Sequence, residues 1–293
     1  MVNITHKSNT LRIAIAQAIV KVSSESTIAA VINKEVPKGD VFEMAKTAGL
    51  FAAKRTSDMI PDCHPLPIEY TKINYRIQEL EIIIEVEIHT IYKTGVEVEA
   101  MHAASVVALT MYDMLKPIDK NISIEKIKLM EKKGGKSDFV KKEINDINAA
   151  VVVCSDSIYK GVKQDKAGVI IKEKLQSYQV NVIDYSVIPD EAEVISSKLN
   201  DYVKQQYNLV IFAGGTGLSP HDVTSETIEL MLQKRIPGIE EAIRSYGQQR
   251  TPYAMLSRSV VGIINKTLVM ALPGSTGGAA ESMDAVFPYL LHI

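Results

Sequence analysis

The junction in the middle of the chain constrains its architecture most. Lys132-Lys133-Gly134-Gly135-Lys136-Ser137-Asp138-Phe139-Val140-Lys141-Lys142-Glu143 is a glycine-punctuated run of cations, and a short apolar stretch, Ile147 to Val153, follows almost at once. That stretch has the length and content of the buried opening strand of an α/β domain. One folding unit therefore ends here and another begins. A chain of 293 residues accommodates two domains of about 100–200 residues each. The expected division is residues 1–142 and 146–293.

Composition narrows the function classes. With 46% hydrophobic and 23% charged residues the chain is built to fold rather than to stay disordered. A net charge of -2 gives no global attraction to nucleic acid or to an acidic membrane, so neither is expected as a partner. Cys63 and Cys154 fall one in each proposed domain, which argues against a disulfide framework and fits a reducing cytosol. No stretch reads as a signal peptide or as a spanning helix of about 20 apolar residues, so a cytoplasmic protein is expected.

In the first domain, Leu11 to Ile32 mixes small and apolar residues and reads as a short strand with its flanks. Asp40 is placed as the N-cap of a helix whose apolar positions are Val41, Met44, Ala45, Ala48, Phe51 and Ala52. That helix ends near Ser57, because Pro61, Pro65 and Pro67 forbid continuation. Between these prolines lies a rigid loop carrying Cys63 and His64. Strands are expected over Ile68 to Gln78 and Glu81 to Ile91, the latter with Ile82, Ile84, Val86 and Ile88 on one face. A helix follows Thr94-Gly95-Val96-Glu97-Val98-Glu99 and runs to about Lys116, where Pro117 stops it; a last strand covers Ile122 to Met130. The order suggests an α+β sandwich, helices over one antiparallel sheet.

Asp113 and Lys116 share a helix face, which suits a surface ion pair as well as an acid–base couple. His64 suits a turn cap, and Glu97 and Glu99 a solvated strand end. Cys63-His64 lacks the further ligands of a zinc site. Cations at Lys38, Lys116 and Lys132 beside carboxylates and an imidazole are what a polyphosphate substrate and proton transfer both require.

The motifs Lys38-Gly39-Asp40-Val41, Ala52-Ala53-Lys54-Arg55-Thr56, Cys63-His64-Pro65-Leu66, Thr94-Gly95-Val96-Glu97-Val98-Glu99-Ala100, Tyr112-Asp113-Met114 and Lys133-Gly134-Gly135-Lys136-Ser137 resemble those of the MoaC family, cyclic pyranopterin monophosphate synthase. The resemblance implies a ferredoxin-like α+β fold and rearrangement of a cyclised GTP intermediate with loss of pyrophosphate. It places the active site on Arg12, Lys38, His64, Glu99, Asp113, Lys116 and Lys132, with Cys63, Glu97 and Met101 against the substrate. Asp113 and Lys116 would serve acid–base chemistry, and Arg12, Lys38 and Lys132 would hold phosphates, with no cofactor. It also implies a homo-oligomer, a hexamer or trimer of dimers, with sites completed across a subunit interface. The chain starts at Met1-Val2-Asn3-Ile4, without the leader of many family members, so the resemblance does not carry over contacts from that arm.

In the second domain, Ala149 to Cys154 is a buried parallel strand ending at Ser155-Asp156. A helix over Lys166 to Gln176, a strand near Val180 to Val187 and a helix capped by Asp190 follow. The strand Asn208 to Ala213 runs into Gly214-Gly215-Thr216-Gly217, and a helix starts near Thr224. This alternation predicts a doubly wound, mostly parallel α/β sheet. Glycines let backbone N–H groups approach an anion at a helix N-terminus, although such a loop also serves as a plain turn. Asp222 suits either a helix cap or a divalent cation. An antiparallel pair, Ser259 to Ile264 and Thr267 to Ala271, leads to a second glycine loop, Pro273-Gly274-Ser275-Thr276-Gly277-Gly278, and a helix with Glu281.

Ser155-Asp156, Pro189-Asp190-Glu191, Gly214 to Gly217, Asp222-Val223-Thr224, Leu256-Ser257-Arg258 and Leu272-Pro273-Gly274-Ser275 resemble the MoaB/MogA family of molybdopterin-binding proteins, whose active members transfer AMP from Mg-ATP to molybdopterin. The resemblance makes Asp190 and Asp222 the functional carboxylates and Mg2+ ligands. Gly215, Thr216, Ser257, Pro273, Gly274, Ser275 and Glu281 would line the cleft, with Ser155, Asp156, Gly214, Gly217 and Thr224 beside them. Ser157 and His221 stand where that family commonly has arginine. The expectation is a bifunctional molybdenum cofactor biosynthesis chain, the alternative being an N-terminal synthase fused to a non-catalytic binding module. The two steps are not consecutive, so the fusion implies co-production or assembly more than direct channelling.

Overall fold

The computed structural model describes residues 1–135, 138 and 147–292; Lys136, Ser137 and 139–146 of the cation run lie outside the described residues. The chain divides into two compact units, Met1–Phe139 and Val140–Ile293.

The first unit begins with β1 (Thr10–Lys21), a twelve-residue strand at the centre of the sheet. The expected short strand is thus longer, because both of its faces are apolar and no period-two contrast marks it. Ala14, Ala16, Ala18 and Val20 are fully buried on one face; Ile13, Ile15 and Ile19 stand on the other, half-exposed. Helices α1 (Glu25–Ile32), α2 (Val41–Lys54) and α3 (Thr56–Met59) follow. Asp40 caps α2, accepting from the Phe42 and Glu43 amides at 3.1 and 3.2 Å. Strands β2 (Tyr70–Gln78) and β3 (Glu81–Tyr92) form a hairpin, α4 spans Glu97–Leu115, and β4 spans Ser123–Lys133.

The antiparallel order β2-β3-β1-β4 is the ferredoxin-like arrangement. Small residues set the layer spacing: Ala100, Ala103, Ala104 and Ala108 of α4 are fully buried in one core with the β1 alanines. β4 extends past Met130, so Lys132 and Lys133 pair with Ala14 and Ile13 instead of lying in a linker.

The second unit contains β5 (Asn148–Cys154), α5 (Asp156–Tyr159), α6 (Ala167–Ser177), β6 (Asn181–Ile188), α7 (Ala192–Lys204), β7 (Leu209–Ala213) and α8 (Thr224–Met231). Then come β8 (Lys234–Arg235), α9 (Pro237–Gln248), β9 (Val260–Ile264), β10 (Thr267–Leu272) and α10 (Thr276–Val286). The sheet order is β6-β5-β7-β10-β9-β8, parallel from β6 to β10, with an antiparallel edge of β9 and β8. Helices cover both faces. Ile171, Ile243 and Met283 of α6, α9 and α10 pack on one, and Ile195, Leu199 and Ile228 of α7 and α8 on the other. This is the doubly wound fold, and β5, β7 and β10 release their carboxyl ends along one edge.

Candidate active sites

In the first unit the chemistry-bearing residues gather at the two ends of α4. At its C-terminal end Asp113 is clasped by two ammonium groups: Lys116 Nζ donates to Oδ1 and Lys38 Nζ to Oδ2, each at 2.7 Å. Lys38 also donates to the Asp113 carbonyl at 2.9 Å. The hydrogen bond from Lys116, followed by that from Lys38, holds the Asp113 carboxyl down at about 2. The same contact raises the Lys116 ammonium above its ordinary value. The Asp113 side chain is 53% exposed, so the group is ready to meet a substrate and water screens it.

At the N-terminal end Glu99 is only 2% exposed, not on a solvated strand end. Burial pushes its carboxyl up. Cys63 Sγ donates to Glu99 Oε1 at 3.2 Å, and burial, then Glu99 and Glu97, push the thiol up to about 11. A thiol donor beside a carboxyl that resists ionisation is a proton-holding pair rather than a nucleophile. Glu97 forms an ion pair with Lys132 of β4. The buried Arg12 of β1 spends Nε and Nη2 on the carbonyls of Tyr92 and Lys93, at 3.3 and 3.4 Å. His64 Nε2 lies 2.8 Å from the Val2 carbonyl, which can only accept, so that nitrogen carries the proton. Met101 is half-buried against the core.

Glu99 and Asp113 are fourteen residues apart on α4, an axial distance of about 21 Å at 1.5 Å per residue. Among the described residues no hydrogen bond or ion pair joins the two clusters.

In the second unit a cleft of about 670 Å³ opens at the carboxyl ends of β7 and β10. Its floor is glycine for steric reasons. Gly214 has φ +107, and an added Cβ would sit 2.2 Å from the Cys154 carbonyl oxygen; at Gly215, φ +60, it would sit 2.2 Å from Thr224 Oγ1 and 2.3 Å from Asp190 Oδ2. Ser275 caps α10 by accepting from the Gly278 amide at 3.2 Å.

Gly214 to Gly217, Asp222, Ser257, Pro273, Gly274, Ser275 and Glu281 line the cleft. Thr224 is fully buried and donates to Asp190 Oδ1 at 2.9 Å, so both lie behind Gly215. Asp190 therefore does not cap α7, whose N-cap is Glu191 without a side-chain bond. Nor does Asp222 cap α8; it accepts from the Ser219 amide at 2.9 Å. Ser155 caps α5, which begins with Asp156, and neither residue lines the cleft.

Burial first, and then the charges of Asp222 and Asp156, push the Asp190 carboxyl up despite the hydroxyl of Thr224. Asp190 and Asp222 thus crowd like charges at one corner, and a hard divalent cation would relieve that. Two carboxylates completed by phosphate oxygens are a Mg2+ donor set, so these residues fit the ion. Arg258 braces the same corner: its Nη2 donates to the Asp222 carbonyl at 3.0 Å, its Nη1 pairs with Glu226, and its amide donates to the Thr216 carbonyl at 3.4 Å.

Arg244, Thr251 and Tyr253, which carry none of the motifs above, also line the cleft. Pro237 at the start of α9 was the available signal, since it opens a helix whose inward face, Ile243 and Gly247, carries Arg244 to the wall.

These features define a two-unit chain: an α+β unit with a Lys–Asp–Lys cluster and a buried Glu99 at the ends of α4, followed by a doubly wound α/β unit with a glycine-floored cleft. Residues 1–135 match the MoaC family and residues 150–292 the family described as probable molybdopterin binding domain. The chain is 38% identical over 292 residues to the molybdenum cofactor biosynthesis bifunctional protein of Chlorobaculum tepidum, covering 100% of this chain and 92% of that protein. The protein of that name from Synechococcus elongatus is 33% identical over 305 residues, covering 100% and 95%. The first unit is similar to the cyclic pyranopterin monophosphate synthase of Syntrophomonas wolfei, 48% identical over 139 residues, covering 47% of this chain and 88% of that protein. The chain belongs to the family of bifunctional molybdenum cofactor biosynthesis proteins.

Proposed function

We propose that the first unit converts a cyclised GTP intermediate to cyclic pyranopterin monophosphate with release of pyrophosphate, and that the second adenylylates molybdopterin from ATP. The observation that carries the first assignment is the Lys38–Asp113–Lys116 clasp at one end of α4. Asp113 keeps Lys116 protonated and oriented, so Lys116 serves as the proton donor to the leaving oxygen, while Asp113 stays ionised and holds it in place. Lys38, Lys132 and Arg12 attract the phosphates, and Cys63 with Glu99 holds a proton at the other end of the helix. With about 21 Å between the clusters, the productive site draws on both ends of α4 from different copies, which supports a homo-oligomer.

For the second unit, Asp190 and Asp222 would hold Mg2+, which when bound neutralises ATP phosphates. The glycine-loop amides receive the phosphate oxygens. Arg258 fixes the Asp222 loop, and the apolar stretch around Ile243 and Leu256 excludes water. The protein is thus proposed to take small-molecule ligands only.

The test uses the full-length chain and omits one substrate at a time, because both proposed reactions release pyrophosphate. Release with the cyclised GTP intermediate alone should vanish in Lys116→Ala and persist in Asp222→Ala. Release with molybdopterin, ATP and Mg2+ should do the reverse. Tight molybdopterin binding without turnover would leave the second unit a binding module.

A further inference from the structure

We infer that Arg244 is the side chain that fixes a phosphate group in the C-terminal cleft, an assignment that rests on that cleft being the ligand site proposed above. Among the described residues that line it, the acidic and basic side chains are Asp222, Glu281 and Arg244, so Arg244 is its one cation. Asp190 adds a third carboxylate behind Gly215. A cleft with that balance repels a polyanion unless the cation is placed to receive it.

The protein does not use up the Arg244 guanidinium. Its ion pair, Nη2 to Glu240 Oε2, is long at 3.8 Å. The Glu240 carboxylate is 1% exposed and already satisfied elsewhere: Arg235 Nε and Nη2 each donate to it at 2.9 Å, and the Val261 amide does so at 3.0 Å. Glu240 therefore orients Arg244 along α9 without neutralising it. The neighbouring arginines differ. Arg258 is paired with Glu226 and Arg235 with Glu229 and Glu240, in a side compartment of about 380 Å³ that shares only Arg244 and Ser257 with the cleft. Those two brace the wall, whereas Arg244 lines the cleft itself and its single ion pair is a long one.

Ser157 and His221 do not line the cleft. Neither therefore adds a cation to its lining. A planar fork matches two oxygens of one phosphate, while a Mg2+ ion at Asp190 and Asp222 would take another. The phosphate belongs either to a nucleotide or to a phosphorylated pterin, and the same chemistry serves both.

Calorimetric titration of the full-length protein and of R244A, R244Q and R244K with Mg-ATP, adenosine and molybdopterin tests this. R244A and R244Q are expected to weaken a phosphate-bearing ligand about 10- to 100-fold with adenosine unchanged. R244K should recover part of the loss, since it keeps the charge without the fork. A loss confined to ATP assigns the nucleotide phosphate, and one confined to molybdopterin assigns the pterin phosphate. Unchanged affinity for both in R244Q would overturn the role of Arg244 and leave the proposed function standing. A parallel loss for adenosine would overturn it too, as the mark of a merely structural residue. If the wild-type protein bound neither phosphate-bearing ligand, the site assignment would fall with it.

Discussion

Asp113 between Lys38 and Lys116 is ionised at any pH above about 2, so its charge is constant across the working range and the proton traffic falls to Lys116. Lys116→Ala is expected to lower the synthase kcat by about 10²- to 10⁴-fold with little change in melting temperature, because the side chain is 53% exposed and the pair is screened. Steady-state kinetics beside thermal unfolding separates the two effects. Glu99 behaves oppositely. Its folded-state carboxyl is raised by burial, so the native state binds more protons than the unfolded chain above the ordinary value of 4.5, and its ionisation costs stability as pH rises through the folded value. Glu99→Gln should therefore raise the melting temperature at neutral pH relative to wild type, and the gain should shrink toward pH 4. A gain that did not depend on pH would rule out the buried charge as its source. Asp119 supplies the contrast. Burial opposes its ionisation, but hydrogen bonds from the Ser23 amide and hydroxyl, the Asn121 amide and the Thr27 hydroxyl outweigh this and keep its carboxyl low. Its stabilisation is present above the ordinary value of 3.8 and lost as pH falls through the folded value. Asp119→Ala should cost about 3 kcal/mol by chemical denaturation at neutral pH, since it strands several donors.

At the scale of elements, the turn from β7 into α8 is a loop that only glycine closes. Gly215→Ala puts a Cβ into left-handed backbone and against Asp190 and Thr224, with an expected loss of roughly 1–3 kcal/mol in stability and of ligand binding in the second unit alone. Synthase activity in the same preparation is the internal control. Several elements were legible beforehand because each carries a local signal: the Asp40 cap, the alternation of β3, the prolines after α2 and the apolar runs of β5 and β7. β1 was only partly legible, since isoleucine and alanine alternate without a polar face, and α1 hid in the same stretch. Asp190 was legible as a functional carboxylate but not as a partner of Thr224, thirty-four residues away. No local propensity carries that distance.

At the scale of the molecule, the clusters at the two ends of α4 lead to a test of assembly. If different copies build one synthase site, co-expression of Lys116→Ala with Glu99→Gln should yield mixed oligomers more active than either variant alone. Activity no higher than that of the separate variants would sink the shared site. Among the described residues no helix is long and apolar enough to cross a membrane. The sequence by itself determined the two-unit plan, the α+β and α/β classes and the residue types of each site, because periodicity, caps and glycine loops are local properties of the chain. Only the tertiary structure decided which of those residues meet: Lys38 with Asp113, Cys63 with Glu99, Asp190 with Thr224, and Arg244 at the cleft wall. Each of these contacts depends on how helices cross sheets and where strands release their loops, and that is set by the packing of whole elements.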